Sequence, residues 1–282
     1  MKKFFALLMI AALVLVTGCG SGGDTKKTDA AKVKIGMITR LNASEEQFNE
    51  FIKQIEETLN VDIVSHQVVF FDNLTSMEMA LQSKQIGEMS TYRSVARYII
   101  AKDPHFELLK DHSLEFIDSF CFALRSEDEE LKHSLNTVIN DMISDGTLDR
   151  LTKEYITDIA PGVDPPAVEL PHFDGSPTIK VAVTGDLPPL DYVSADGKPA
   201  GFNTAVLAEV SNRLNMNIET VNITAGGRAA ALTSKQVDVV FWAIVPVSEI
   251  IPEDSDRPEG VALTEPYFKD KTAHLIYKPD EK

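Results

Sequence analysis

The chain has 282 residues, 44% hydrophobic and 25% charged, a globular composition that excludes collagen-like and intrinsically disordered classes. Its length predicts about two domains, each long enough to bury a core of its own. The balance of 27 Lys and Arg against 43 Asp and Glu gives a net charge of −16, which argues against nucleic-acid binding, since that needs a basic face. Two cysteines, Cys19 and Cys121, exclude a disulfide framework and a multi-cysteine metal site.

The first residues carry an address. Lys2 and Lys3 precede an apolar run from Phe4 to Val16 that is too short for a comfortable membrane span. It ends in Val16-Thr17-Gly18-Cys19, small residues running directly into a cysteine, which resembles the lipobox of bacterial lipoproteins. The resemblance implies cleavage of a signal peptide at 1–18 and a lipid on Cys19. The alternative is an ordinary secretory signal with an incidental cysteine. The Gly/Ser-rich stretch 19–32 that follows has the composition of a flexible tether.

Residues 33–160 read as one α/β unit. Val33–Ile38 is a short strand. Ser44 and Gln47 form a capping box, ahead of Phe48, Phe51, Ile52, Ile55 and Leu59 at helical spacing. Val68–Phe71 is a second strand, Ser76–Lys84 and Tyr92–Ala101 are helices, and Glu115–Leu124 is strand-like, so Cys121 reads as an inert buried thiol. Ser126 and Glu129 suggest a second capping box before a stripe of Leu131, Leu135, Val138, Ile139, Met142 and Ile143, which Gly146 ends. A short helix follows through Leu148, Leu151 and Tyr155.

Residues 161–177 hold five of the 14 prolines, a density that no helix or central strand survives, and they read as a semi-rigid linker. Residues 178–282 form a second α/β unit. Its strands are expected at Ile179–Val183, Ile218–Ile223, Val237–Ile244 and Ala273–Tyr277, with a helix through Ala205, Val206, Val210 and Leu214. Alternating strands and helices predict mainly parallel sheets with ligands at their carboxyl ends.

The six histidines show no metal-ligand spacing, and no phosphate-cradling or nucleophile-elbow motif is present. No metal or cofactor is expected. The runs Glu127-Asp128-Glu129-Glu130 and Glu253-Asp254 read as solvated faces and caps. Nothing in the residues demands an enzyme, and two α/β lobes most simply hold a small ligand between them.

Residues 178–277 resemble the first lobe of the family 3 extracellular solute-binding proteins of polar amino-acid ABC importers. The stretches that carry the likeness are Ile179 to Tyr192, Asp196 to Phe202, Arg228 to Val240 and Leu263 to Phe268. Residues 33–158 resemble the rest of that family, through Val33 to Gln47, Ala80 to Lys84, Ser94-Val95-Ala96, Phe122 to Arg125 and Asp145 to Leu151. The resemblance implies a type II periplasmic-binding-protein-like α/β fold of two hinged lobes. The family's segments stand here in circularly permuted order: second lobe and C-terminal segment (33–160), proline linker (161–177), first lobe (178–282). Two independent half-proteins in tandem are the alternative.

By the same resemblance the protein is a monomeric, membrane-anchored extracytoplasmic receptor that closes on a small solute and delivers it to an ABC permease. A non-transport sensor or degenerate binding module, and a dehydratase-like enzyme, remain as alternatives. The family's carboxylate-clamping Arg aligns with Ile250, its ammonium-binding Asp falls near Tyr92, and its aromatic wall after Pro188-Pro189 is Leu190. The ligand-binding set implied is Arg228, Trp242, Leu190, Asp186, Arg40, Asn42, Tyr92 and Arg93. Arg228 is the best first-lobe cation for a ligand carboxylate, with a surface helix-end residue as its alternative, and Trp242 is a stacking wall or a core residue. On this reading Arg228→Ala weakens anion binding while leaving the melting temperature nearly unchanged.

Overall fold

The computed structural model describes residues 32–59, 66–110, 114–249 and 251–279. The leader, Cys19 and Ile250 lie outside the described residues.

The first half of the chain runs β1 (Val33–Ile38), α1 (Glu45–Leu59), β2 (His66–Phe71), α2 (Leu74–Gln82), β3 (Glu88–Tyr92), α3 (Arg93–Lys102), β4 (Phe106–Leu109), β5 (Ile117–Arg125), α4 (Glu129–Ser144) and α5 (Thr147–Thr152). The second half runs β6 (Thr178–Val183), β7 (Asp186–Leu187), β8 (Asp191–Val193), β9 (Pro199–Ala200), α6 (Phe202–Leu214), β10 (Asn217–Asn222), α7 (Arg228–Thr233), β11 (Val239–Val247), β12 (Val261–Leu263) and β13 (Phe268–Tyr277). A π-helical turn, Lys153–Thr157, extends α5, and a 3-10 turn, Ala225–Gly227, leads into α7.

These strands build two lobes. In one, β1 pairs in parallel with β2 and β3. In the other, β6 pairs in parallel with β10 and β11. The parallel pairing expected from the alternating pattern is confined to these two cores. The strands that join the lobes pair antiparallel because they return across the sheets. β5, from the first half of the chain, lies against β11 and against the start of β13, both from the second half. β13 pairs with β5 over Phe268–Lys271 and then with β3 over Thr272–Leu275, so one strand belongs to both lobes. Phe116 and Thr272 clasp each other where the two crossing segments meet: the Phe116 N–H donates to Thr272 Oγ1 and the Thr272 N–H to the Phe116 carbonyl, both at 2.7 Å.

Local chemistry explains the main elements. The Ser44–Gln47 capping box forms in both directions, Ser44 N–H to Gln47 Oε1 at 2.9 Å and Gln47 N–H to Ser44 Oγ at 3.2 Å, satisfying two donors that a helix start otherwise leaves free. Phe48, Ile52 and Ile55 of α1 are buried against Ile35 and Val68, and each such side chain stabilises the fold by roughly 1.5–3 kcal/mol. The Ser126–Glu129 box does not form. Asp128 takes the cap position of α4, and the Ser126 N–H is drawn to the Gly260 carbonyl instead. The α4 stripe buries Leu135, Val138, Ile139 and Met142 and leaves Ile143 exposed. Cys121 is buried in β5, and burial, with Glu265 nearby, pushes its thiol up to about 12. The proline-rich stretch makes a bridge from Ala167 to Ala200 and crosses the lobe without regular structure of its own.

Candidate functional site

The two lobes face each other where the ends of β1 and β3 meet β7 and the middle of β11. A buried void of about 20 Å³ lies there, room for a water molecule or so. Met37, Ile38, Arg40, Ser90, Thr91 and Tyr92 line it from one lobe, Leu187, Trp242 and Ile244 from the other, and Thr272 from the crossing strand. Of the residues expected at a ligand site, Arg40, Tyr92 and Trp242 meet at this void, and Arg228 stands directly behind Trp242.

Trp242 owes its position to backbone strain. It sits at φ 49° in a bulge of β11, where the register against β5 slips between Val240 and Ala243. A left-handed backbone is costly for a residue other than glycine, and bulges re-aim side chains. The ring is 2% exposed, and its Nε1 has no hydrogen-bond partner among the described residues. The Arg228 guanidinium stacks over it at 4.2 Å.

Arg228 is not a surface helix end. It is 1% exposed, and three of its five N–H donors are engaged: Nε to the Ala225 carbonyl (3.1 Å), Nη1 to the Trp242 carbonyl (3.2 Å) and Nη2 to the Thr39 carbonyl (3.1 Å). Thr39 belongs to the opposite lobe, so this side chain ties the lobes together. The structure argues against the expectation that Arg228→Ala spares the melting temperature, because the substitution would remove a donor from the buried Trp242 carbonyl and from the partly buried Thr39 carbonyl of the other lobe. Burial lowers the Arg228 pKa, partly offset by Asp256, Tyr92 and Asp191.

Arg40 forms a buried ion pair with Asp118 at 3.5 Å, and the Tyr92 hydroxyl donates to the same carboxylate at 3.1 Å. Burial works against the Arg40 charge, but Asp118, Tyr92 and Asp256 outweigh it and raise its pKa. Burial also raises Asp118, against the pull of Arg40 and the Tyr92 hydrogen bond. The family's ammonium-binding carboxylate has thus no counterpart at Tyr92 itself. The nearest carboxylate partner of Tyr92 is Asp118 on β5, which is engaged by Arg40 and the Tyr92 hydroxyl.

Three carboxylates reach across to backbone amides of the other lobe. Asp256 Oδ1 accepts from the Asn42 N–H (2.8 Å) and the Ala43 N–H (3.3 Å) just ahead of α1. Asp186 Oδ2 accepts from the Leu74 N–H, the first residue of α2, at 2.7 Å. Asp72 Oδ1 accepts from the Gly226 N–H at 3.2 Å and from the Thr39 hydroxyl at 3.2 Å. Gly226 permits that approach, since a Cβ there would stand 2.7 Å from Asp72 Oδ1.

The remaining expected residues fall elsewhere. Asn42 takes part through its backbone, with its side chain exposed. Asp186 serves the neighbouring α2 contact. Leu190 is buried in the hydrophobic core rather than at the void. Arg93 is exposed and paired with Glu115 at 3.2 Å. Sequence reasoning passed over Asp118, Asp256, Thr39 and Asp72. Glu253 and Asp254 are exposed, as expected of a solvated run, while Asp256, two positions on, is 4% exposed. Nothing in the local sequence separates them. Among the described residues no group of three or more His, Cys, Asp or Glu is arranged to hold a metal, and no helix is long and apolar enough to cross a membrane.

No curated protein sequence matches the chain. Among solved structures, the ligand-binding component of an ABC-type import system from Staphylococcus aureus is 10% identical over 87% of this chain, at a TM-score of 0.41, and the chain spans 65% of that protein's length. An ABC transporter periplasmic substrate-binding protein from Coxiella burnetii is 10% identical over 87% of this chain and 84% of its own, at a TM-score of 0.39. The parallel cores of β1–β3 and of β6, β10 and β11, joined by the antiparallel β5 and β13, make a two-lobed α/β fold. Residues 179–282, which supply β6 to β13, match the family model of the bacterial extracellular solute-binding proteins, family 3.

Proposed function

We propose that the protein is a lipid-anchored extracytoplasmic receptor that closes on a small, carboxylate-bearing or amino-acid-like solute and delivers it to an ABC permease. The observation that carries this reading is the meeting of Arg40 and Tyr92 from one lobe with Trp242 and Arg228 from the other, within a chain whose residues 179–282 match the solute-binding family. A ligand held by both sets is contacted fully only when the lobes are shut, so it shifts the open–closed equilibrium by its differential affinity. The closed form is what a permease would recognise.

The same reading takes the chain as a circular permutation. The strand β5 from the first half lies between β11 and β13 from the second half, and Arg125 on it donates to the Val237 carbonyl at 2.7 Å and pairs with Asp238 at 3.2 Å. Independent tandem halves would not share a sheet in this way. β1 and β13 also flank the same strand, β3, so the two ends of the fold return to one lobe.

A second reading, a binding module that no longer carries cargo, draws on the size of the void and on the pairing of both buried arginines within the chain. Thermal melting of the wild-type protein across amino acids, mono- and dicarboxylates and sugars separates the two. A cognate solute at about 100 times its Kd adds ~2.7 kcal/mol, or roughly 5–10 °C for a fold of this size. A flat response across the panel favours the second reading.

A further inference from the structure

We propose that Asp256 is a tethered competitor: its carboxylate fills, from within the chain, an anion seat made by the Asn42 and Ala43 amides beside Arg40 and Arg228, and a carboxylate solute enters by displacing it. This deepens the receptor reading by naming the chemistry of the ligand group, and the displacement step rests on that reading.

The residues support it in several independent ways. Asp256 lies on the connection between β11 and β12, strands of the opposite lobe, a connection whose Ile251 packs into the α1 core, and it accepts from the two amides ahead of that helix at 2.8 and 3.3 Å. Amides near a helix start favour an anion, and both buried arginines bear electrostatically on this carboxylate. Yet the fit is incomplete. Asp256 is 4% exposed, and its Oδ2 has no hydrogen-bond partner among the described residues. A buried carboxylate oxygen left without a donor is costly. Trp242, which lines the void together with Arg40, carries a second orphan of opposite character, its Nε1 donor. A free carboxylate can orient both oxygens and bring acceptors of its own.

Asp72 differs. It makes a comparable contact between the lobes, but its Oδ1 accepts from both Gly226 and Thr39, and its side chain is exposed. It reads as a simple latch. Exchanging Asp256 for a ligand carboxylate conserves the charge around Arg40 and Arg228, so displacement does not require uncompensated burial. An intramolecular group acts at an effective concentration of the order of millimolar, which an external carboxylate must overcome.

The test uses the full chain and sodium acetate as the probe, with sodium chloride at equal ionic strength as the control. Asp256→Ala is expected to gain a saturable, acetate-specific rise in melting temperature, with a parallel change in the emission of Trp242, the single tryptophan. Wild type is expected to respond to acetate no more than to chloride. If Asp256→Ala does not fold, Asp256→Ser, whose shorter side chain cannot reach the two amides as the carboxylate does, is read in the same titration. An acetate response in neither variant, or an equal response in wild type, overturns the proposal. A solute found on wild type together with acetate-blind variants removes the competitor and keeps the receptor. Acetate rescue with a flat solute panel keeps the competitor and removes the receptor.

Discussion

Replacing Arg228 with alanine is the sharpest perturbation of this fold. The guanidinium serves the Ala225, Trp242 and Thr39 carbonyls, and it does so from a position 1% exposed. Truncation removes the donor from the buried Trp242 carbonyl, at about 1–3 kcal/mol, and from the partly buried Thr39 carbonyl. It also removes one of the two cations that offset Asp256. Removal of one member of a buried charged set costs about 3–5 kcal/mol. For a fold of this size each kcal/mol shifts the melting temperature by roughly 2–4 °C, so a fall of about 10 °C is expected. The loss also severs a tie between lobes, so small-angle scattering should report a larger radius of gyration. Circular dichroism melting measures the first effect, and Arg228→Met, which keeps most of the volume, should show the same sign. A melting temperature within about 2 °C of wild type would falsify the assignment of Arg228 as a tie between the lobes.

Two further outcomes follow from other residues. Burial, with Asp103 and Asp186 nearby, pushes Glu78 from 4.5 to about 7. Its folded state therefore takes up a proton that the unfolded chain does not bind until nearer pH 4.5, and stability should rise as pH falls from about 7 toward 4.5. Melting temperatures from pH 5 to 8 should show this slope, and Glu78→Gln should flatten it; an unchanged slope refutes the assignment. Cys19→Ala should move the expressed protein out of the membrane fraction, because a lipid on that thiol is the proposed anchor, and unaltered fractionation with normal processing removes the anchor from the proposal.

Most of the elements were legible because they rest on local chemistry. The Ser44–Gln47 box, the α1 and α4 stripes and the short apolar strands are written in residues three, four or two positions apart, the range over which periodicity and capping act. The Ser126–Glu129 box was the exception, since a tertiary contact to Gly260 drew away the amide that it needed. At the site, Arg40, Tyr92, Trp242 and Arg228 were implied by the resemblance and the structure brings them together, whereas Leu190 and Arg93, implied by the same resemblance, fall in the core and on the surface.

By itself the sequence determined the two α/β segments, the proline-rich join, the acidic surface and the type of residue able to hold an anion. Only the tertiary structure decided which of those residues are still free to do so. Asp118, Asp256, Asp186 and Asp72 are ordinary acidic positions in the chain, and their roles arise from partners 26 to 214 residues away. Electrostatic pairing depends on distance and burial rather than on spacing along the backbone, so the closure of β5 and β13 across both lobes had to be in place before those carboxylates could be seen to occupy the amides between them.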